Sequence, residues 1–306
     1  MSEYFAIIID LTKSRRMNEE ERFDAQKKLR DSIEIINNLH RNDIVKSMSF
    51  SGGDSIQGLF KNIQAAFNTF FLIENLVFPF SVRCGIGIGK VNEQLITKFQ
   101  TDDSNAYDGK AYHLARNGID LAKKYQYKFY INSDSDKDIP INSLINDDKF
   151  IFMTLTRKAI FSIVNLIEPI IVDDIKVDYK YNESIPVFIR EITNYYRERS
   201  RVKKRVNFFA ENKFNSIDDT EVKDIITQSK QSLFFEQDFT KYDLKDVLFK
   251  NDSTISPETR DILVKLTESS YQNISSMIKT SNMDELRKKY IAKLMMLKHL
   301  YEGADL

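Results

Sequence analysis

The sequence predicts an α+β fold: a ferredoxin-like, palm-type N-terminal domain followed by a mostly helical C-terminal region. Three observations predict it. Strand-like and helix-like patterns follow one another through residues 4–132 in the order strand, helix, hairpin, helix, strand, helix, strand. A glycine turn, Gly52-Gly53, sits between the two β-like arms at the centre of that order. From Ser256 onward the apolar spacing is helical alone.

Each element has a local reason. Phe5 to Ile9 is an apolar, β-rich run suited to a strand buried on both faces, and it ends on Asp10. Asn18 caps the next helix, whose buried stripe is read as Phe23, Leu29, Ile33, Ile36 and Leu39. Ile44–Phe50 and Ser55–Phe60 are the hairpin arms. Asn62 opens a second helix, Ile63–Leu76, which Pro79 stops. In the strand Phe80–Ile88, glycines 85, 87 and 89 alternate with Cys84, Ile86 and Ile88, which lets a helix or a ligand lie close on the sheet. A third helix over Gly109–Tyr125 and a strand over Lys128–Asn132 complete the domain. Its helices are expected on one face of the sheet.

Residues 133–150 are polar, contain Pro140, and read as a loop or domain edge. The expected division is 1–135 for the palm-like domain, 136–250 for a linking, largely helical region and 251–306 for a helical end. In the last part, Ser256-Pro257 is an N-cap with proline at the first helical position, and Gln272–Ile278 and Met283–Tyr301 continue as helices.

Composition narrows the function classes. The chain has 306 residues, 42% of them hydrophobic, which suffices for two ordinary cores. Its 45 basic and 45 acidic side chains cancel, so any affinity for nucleic acid must come from a local patch. One cysteine and three histidines exclude a standard zinc site, and Cys84 within a strand reads as a buried thiol. No apolar run approaches the roughly 18 residues of a membrane span, and the N-terminus lacks a signal peptide's pattern. A soluble, cytoplasmic protein with no membrane partner is expected.

The candidate site is built on two acids. Asp10 closes the first strand and Asp54 closes the Gly52-Gly53 turn. In this layout both reach the same end of the sheet, where a converging carboxylate pair holds Mg²⁺ (or Mn²⁺) over the phosphates of a nucleoside triphosphate. Thr12, Lys13, Ser14 and Arg15 follow Asp10 directly, a turn whose backbone N–H groups and cations suit a polyphosphate. Taken singly, Asp10 reads first as a capping or turn aspartate and Gly-Gly-Asp as an ordinary hairpin turn; it is the pair that points to a metal. Asp108-Gly109 turns into the third helix, and Arg116, two turns along it, is the candidate catalytic arginine. The basic stretch with Arg197, Arg201 and Lys204, and Arg287, Lys288, Lys289 and Lys293 on the last helix, are candidate nucleic-acid contacts or solvated helix faces.

Read in order, these blocks resemble the SatD family. The matching residues are Ile9-Asp10 with Ser14-Arg15, Gln26, Gly53-Asp54 with Gln57-Gly58, Arg83 with Gly85-Ile86-Gly87, and Asp108-Gly109 with Ala111 and Ala115-Arg116. They span roughly residues 4–132. The resemblance implies a C-terminal helix-turn-helix, here diverged over residues 256–298, and hence a DNA partner. The same segment is similar, more remotely, to class III nucleotidyl cyclases and to the palm domains of diguanylate cyclases and CRISPR polymerases. That likeness implies metal ligation by Asp10 and Asp54, nucleotidyl cyclisation or transfer, and a homodimer. The chain departs from the cyclase pattern where Tyr112 or His113 stands at the helix asparagine and Ser55 follows the Gly-Gly-Asp turn. Two functions are therefore expected: an Mg-dependent nucleotidyl cyclase or nucleotidyltransferase, or a non-catalytic nucleotide sensor that binds DNA through its C-terminus.

Overall fold

The structure, a computed structural model, describes residues 3–91, 109–146, 153–170, 184–205, 216–229 and 253–302, with the backbone alone for 201–205. The chain divides into two compact units: residues 1–148, 175–177 and 293–306, and residues 149–174 and 178–292.

The first unit is mixed α and β. Its strands are β1 (Tyr4–Leu11), β2 (Ile44–Phe50), β3 (Ser55–Phe60), β4 (Val82–Gly89) and β5 (Phe129–Asn132). They form one sheet in the order β2-β3-β1-β4-β5. All neighbours are antiparallel except β4 and β5, which run parallel. Its helices are α1 (Glu19–Leu39), α2 (Ile63–Leu76), α3 (Lys110–Tyr125) and α4 (Asp138–Asn146).

The caps behave as expected. Asn18 and Glu21 form a reciprocal capping box at α1, and the Asn62 side chain accepts from the Ala65 N–H at α2. Phe23, expected in the α1 stripe, is 70% exposed; Ala25, Leu29, Ser32, Ile36 and Leu39 form the buried face instead.

Register assigns the two faces of the sheet. Ile8 lies opposite Gln57 and Gly85, and Ala6 opposite Leu59 and Gly87. This face packs on α3, with Ala111, Tyr112, Ala115 and Ile119 in one core cluster with Ala6, Ile8 and Leu59. The approach is too close for a side chain at Gly85 or Gly87 of β4. A Cβ on Gly85 would stand 2.1 Å from the Ala115 carbonyl oxygen, and one on Gly87 would stand 2.0 Å from that of Ala111. The other face carries Ile9, Ile56, Cys84 and Phe129, and Phe129 meets Phe67 of α2 at 4.9 Å between ring centroids. Helices thus cover both faces of the sheet, because the glycines of β4 open the second face to α3. Cys84 is buried, as expected, and burial pushes its thiol pKa up.

The segment expected to be a loop after residue 133 contains α4, and its asparagines protect a sheet edge. The Asn142 side chain accepts from the Ile131 N–H at 2.8 Å and donates to the Ile131 carbonyl at 2.7 Å. Asn146, one turn on, does the same for Phe129, at 3.4 and 3.0 Å. Two side chains at helical spacing thus stand in for the missing neighbour of β5. Asn37 of α1 treats the irregular middle of β2 likewise, pairing with both the N–H and the carbonyl of Met48.

The second unit is helical: α5 (Leu155–Ile167), α6 (Ile185–Arg205), α7 (Asp219–Ser229), α8 (Pro257–Thr267), α9 (Tyr271–Thr280) and the first part of α10 (Met283–Glu302). Ser256 caps α8 as expected, accepting from the Thr259 N–H. Arg287 is fully buried and donates to Asn165 Oδ1 at 2.6 Å and to the Glu168 carbonyl at 3.0 Å. No described helix is long and apolar enough to cross a membrane.

Candidate functional site

Asp10 and Asp54 come together at one end of the sheet. The Leu11 N–H donates to the Asp54 carbonyl at 3.2 Å, which ties the Gly-Gly-Asp turn to the end of β1. Gly52 and Gly53 both have positive φ, 84° and 64°, so the turn depends on residues without a Cβ. Gln26 of α1 donates to the Gly53 carbonyl at 3.0 Å, and Ser51 Oγ lies 3.1 Å from Gln57 Oε1 at the base of the hairpin. Gln26 and Gln57, which carry part of the family resemblance, thus hold the turn that presents Asp54.

The two carboxylates are within hydrogen-bonding reach of each other. Burial first, and the Asp54 charge second, push the Asp10 pKa up from its ordinary 3.8 to about 6. Two cations partly offset this. Lys123 Nζ stands 3.9 Å from Asp10 Oδ2 and 3.8 Å from Asp120 Oδ1, and Arg83 is the cross-strand partner of Asp10 on β4. Excess negative charge held on hard oxygen ligands is what Mg²⁺ or Mn²⁺ relieves, so these residues fit such an ion. Among the described residues no group of three or more His, Cys, Asp or Glu side chains could hold a metal, so waters or a ligand's oxygens would complete its shell.

The turn after β1 lies beside the pair. The Thr12 N–H and hydroxyl both donate to the Ser81 carbonyl, at 2.8 and 3.0 Å. Lys13 takes a left-handed conformation, φ 59°, and leads into a short 3-10 turn over Ser14–Arg16. Ser14 is buried there, while Lys13 and Arg15 are exposed.

Other residues expected at the site lie elsewhere. Gly109 pairs with Val91, beyond the opposite end of β4 from Arg83. Arg83 and Gly89 are six residues apart, about 20 Å of strand, so the Gly109 turn and the acids occupy opposite ends of the sheet. Asp108 lies outside the described residues. α3 starts by Gly87 and Gly89, packs Ile119 against Gly85, and thus brings its C-terminal turn to Asp10. Arg116 is exposed midway along α3, off the buried stripe of Ala111, Ala115, Gly118, Ile119 and Ala122. The side chain that α3 brings to Asp10 is Lys123, one turn past Ile119, and the helical period that gave the buried stripe could have singled it out.

The basic candidates of the C-terminal half divide similarly. Arg197 is 4% exposed, donates from Nε to the Leu266 carbonyl at 2.7 Å, and pairs with Glu268 at 3.0 Å. The side chains of Arg201 and Lys204 lie outside the described residues. Lys289 is exposed and Lys288 half-buried. Arg287 is internal to the second unit, as described above, and Lys293 donates to the Ile145 carbonyl at 2.7 Å within the first.

No curated protein and no solved structure matches the chain. The family model that does match is that of the SatD family, and it covers residues 4–186, from the first residue of β1 to the second residue of α6. The match includes the whole sheet, both acids, and the glutamines that hold the turn. Since it spans more than half of the sequence, the chain belongs to the SatD family.

Proposed function

We infer that the first unit binds a nucleoside triphosphate together with Mg²⁺ or Mn²⁺. Asp10 and Asp54 are the metal ligands, and Lys13, Arg15, Arg83 and Lys123 meet the phosphates. The observation that carries this is the carboxylate pair: Asp54 acts on Asp10 through its charge and a side-chain hydrogen bond and raises its pKa, Lys123 and Arg83 are the cations acting on Asp10, and Lys13 and Arg15 are exposed in the turn that follows it. When bound, the cation neutralises the acids and draws the phosphate oxygens to the same point. The strand order of β2, β3, β1 and β4, all antiparallel, supports a ferredoxin-like, palm-type domain.

The geometry favours binding over cyclisation. Arg116, the candidate transition-state arginine, is not among the charged groups acting on Asp10. A DNA-reading C-terminus has less support, since Arg197, Arg287 and Lys293 spend their donors inside the protein.

Calorimetric titration of the full chain with non-hydrolysable ATP and GTP analogues tests the proposal. Saturable binding is expected with Mg²⁺, lost with EDTA and lost in Asp54→Asn. Absence of binding for every nucleoside triphosphate with either metal sinks it. Chromatography of reactions with hydrolysable nucleotides gives the second answer: product from wild type and none from Asp54→Asn adds nucleotidyl transfer to binding.

A further inference from the structure

The second unit contains a cavity of about 370 Å³ bordered by α5, α6, α8 and α9, at the small end of the range for ligand pockets. Arg197, itself buried, is among the residues that line it. Its guanidinium is held by the Leu266 carbonyl and by Glu268, which ends α8 at a left-handed φ of 50°. Arg157, half-buried on the first turn of α5, makes no hydrogen bond or ion pair among the described residues, and the side chains of Ser200, Asn273 and Ser276 likewise make none.

Charge and donor count together define a ligand. Two guanidinium groups against one carboxylate leave the cavity with an unbalanced positive charge. Arg157 offers a planar fork, and a hydroxyl or an amide approaches from each of Ser200, Asn273 and Ser276. The Arg157 fork and the three further side chains supply about five donors, more than the roughly four lone-pair sites of a carboxylate and within the roughly six of a phosphate ester's three terminal oxygens.

We propose that this cavity is a binding site for a small phosphate monoester, with Arg157 as its charge partner and Ser200, Asn273 and Ser276 as its orienting donors. Arg197 supports the site by closing the end of α8, and Glu268 limits the charge so that a single phosphate group is accepted.

The test uses the full-length protein in EDTA, with inorganic phosphate as the first probe and a panel of sugar phosphates as the second, followed by phosphorus NMR line broadening. Saturable binding in the millimolar range or tighter is expected. Arg157→Gln weakens it by about tenfold or more, while its circular dichroism and unfolding midpoint stay those of wild type. Asn273→Ala, at an exposed position, weakens it by a smaller factor. The double variant Lys13→Gln, Arg15→Gln changes nothing, since those residues belong to the first unit. Absence of saturable binding by either probe overturns the proposal. So does binding that is lost in the Lys13, Arg15 variant and retained in Arg157→Gln.

Discussion

Asp10→Asn is expected to stabilise the metal-free protein at neutral pH, although it removes a proposed metal ligand. Burial and the Asp54 carboxylate hold the folded-state pKa of Asp10 at about 6, against an ordinary value of 3.8. The unfolded chain releases this proton near the lower value and the folded chain near the higher. Between them the folded state binds more protons, so stability falls as pH rises through that window, and above it the full cost remains. At about 1.4 kcal/mol per unit the shift is worth about 3 kcal/mol. Asp10 keeps 23% of its side chain exposed, and solvent screening brings the expected effect down to about 1–2 kcal/mol. The assay is urea unfolding in EDTA, followed by circular dichroism, for wild type and Asp10→Asn near neutral pH and near pH ~4. The variant is expected to exceed wild type at neutral pH, with the advantage shrinking toward zero in acid. Adding Mg²⁺ at about a hundredfold over its Kd raises wild-type stability by about 2.7 kcal/mol and leaves the variant unchanged. A variant less stable than wild type at neutral pH, or an advantage that persists in acid, refutes the assigned burial and charge pairing.

Three further substitutions probe the rest of the first unit. Lys123→Met is expected to act in opposite directions on two ligands: free Mg²⁺ binds severalfold tighter without the competing ammonium, while the Mg-nucleotide binds about tenfold weaker, both read by calorimetry. A change of the same sign in both places Lys123 outside the proposed phosphate site. His40 is buried with neither ring nitrogen hydrogen-bonded, and burial lowers its pKa from 6.5 to about 3. The unfolded chain therefore takes up a proton that the folded chain refuses, and stability present above pH 6.5 falls by about 2 kcal/mol at pH ~5. His40→Leu removes that part of the acid sensitivity, and urea midpoints at the two pH values measure it. Gly87→Ala drives a Cβ to within 2.0 Å of the Ala111 carbonyl oxygen and is expected to cost about 3 kcal/mol by displacing α3. A urea midpoint within error of wild type shows that α3 does not pack there.

Sequence alone determined the elements whose causes are local. The apolar run into Asp10, the caps at Asn18, Asn62 and Ser256, the glycine turn before Asp54 and the alternating glycines of β4 each carry their reason within a few residues. Those features also brought the acid pair to one end of the sheet, because strand register follows from pattern and turn together. α4 escaped notice because the cause of its asparagines, the open edge of β5, lies in another element.

Tertiary structure decided which cations meet the acids. α3 crosses the glycine face of β4, starting by Gly87 and Gly89, so Lys123 arrives at Asp10 while Arg116 stands midway and Gly109 lies at the far end. It also decided that Arg197 and Arg287, alike in sequence to surface basic residues, are buried and hydrogen-bonded inside the second unit. Helical periodicity fixes which residues share a face of a helix but not the direction in which that helix crosses its sheet. A charged side chain's partner can be any segment of the chain, and only the packed structure brings the two together.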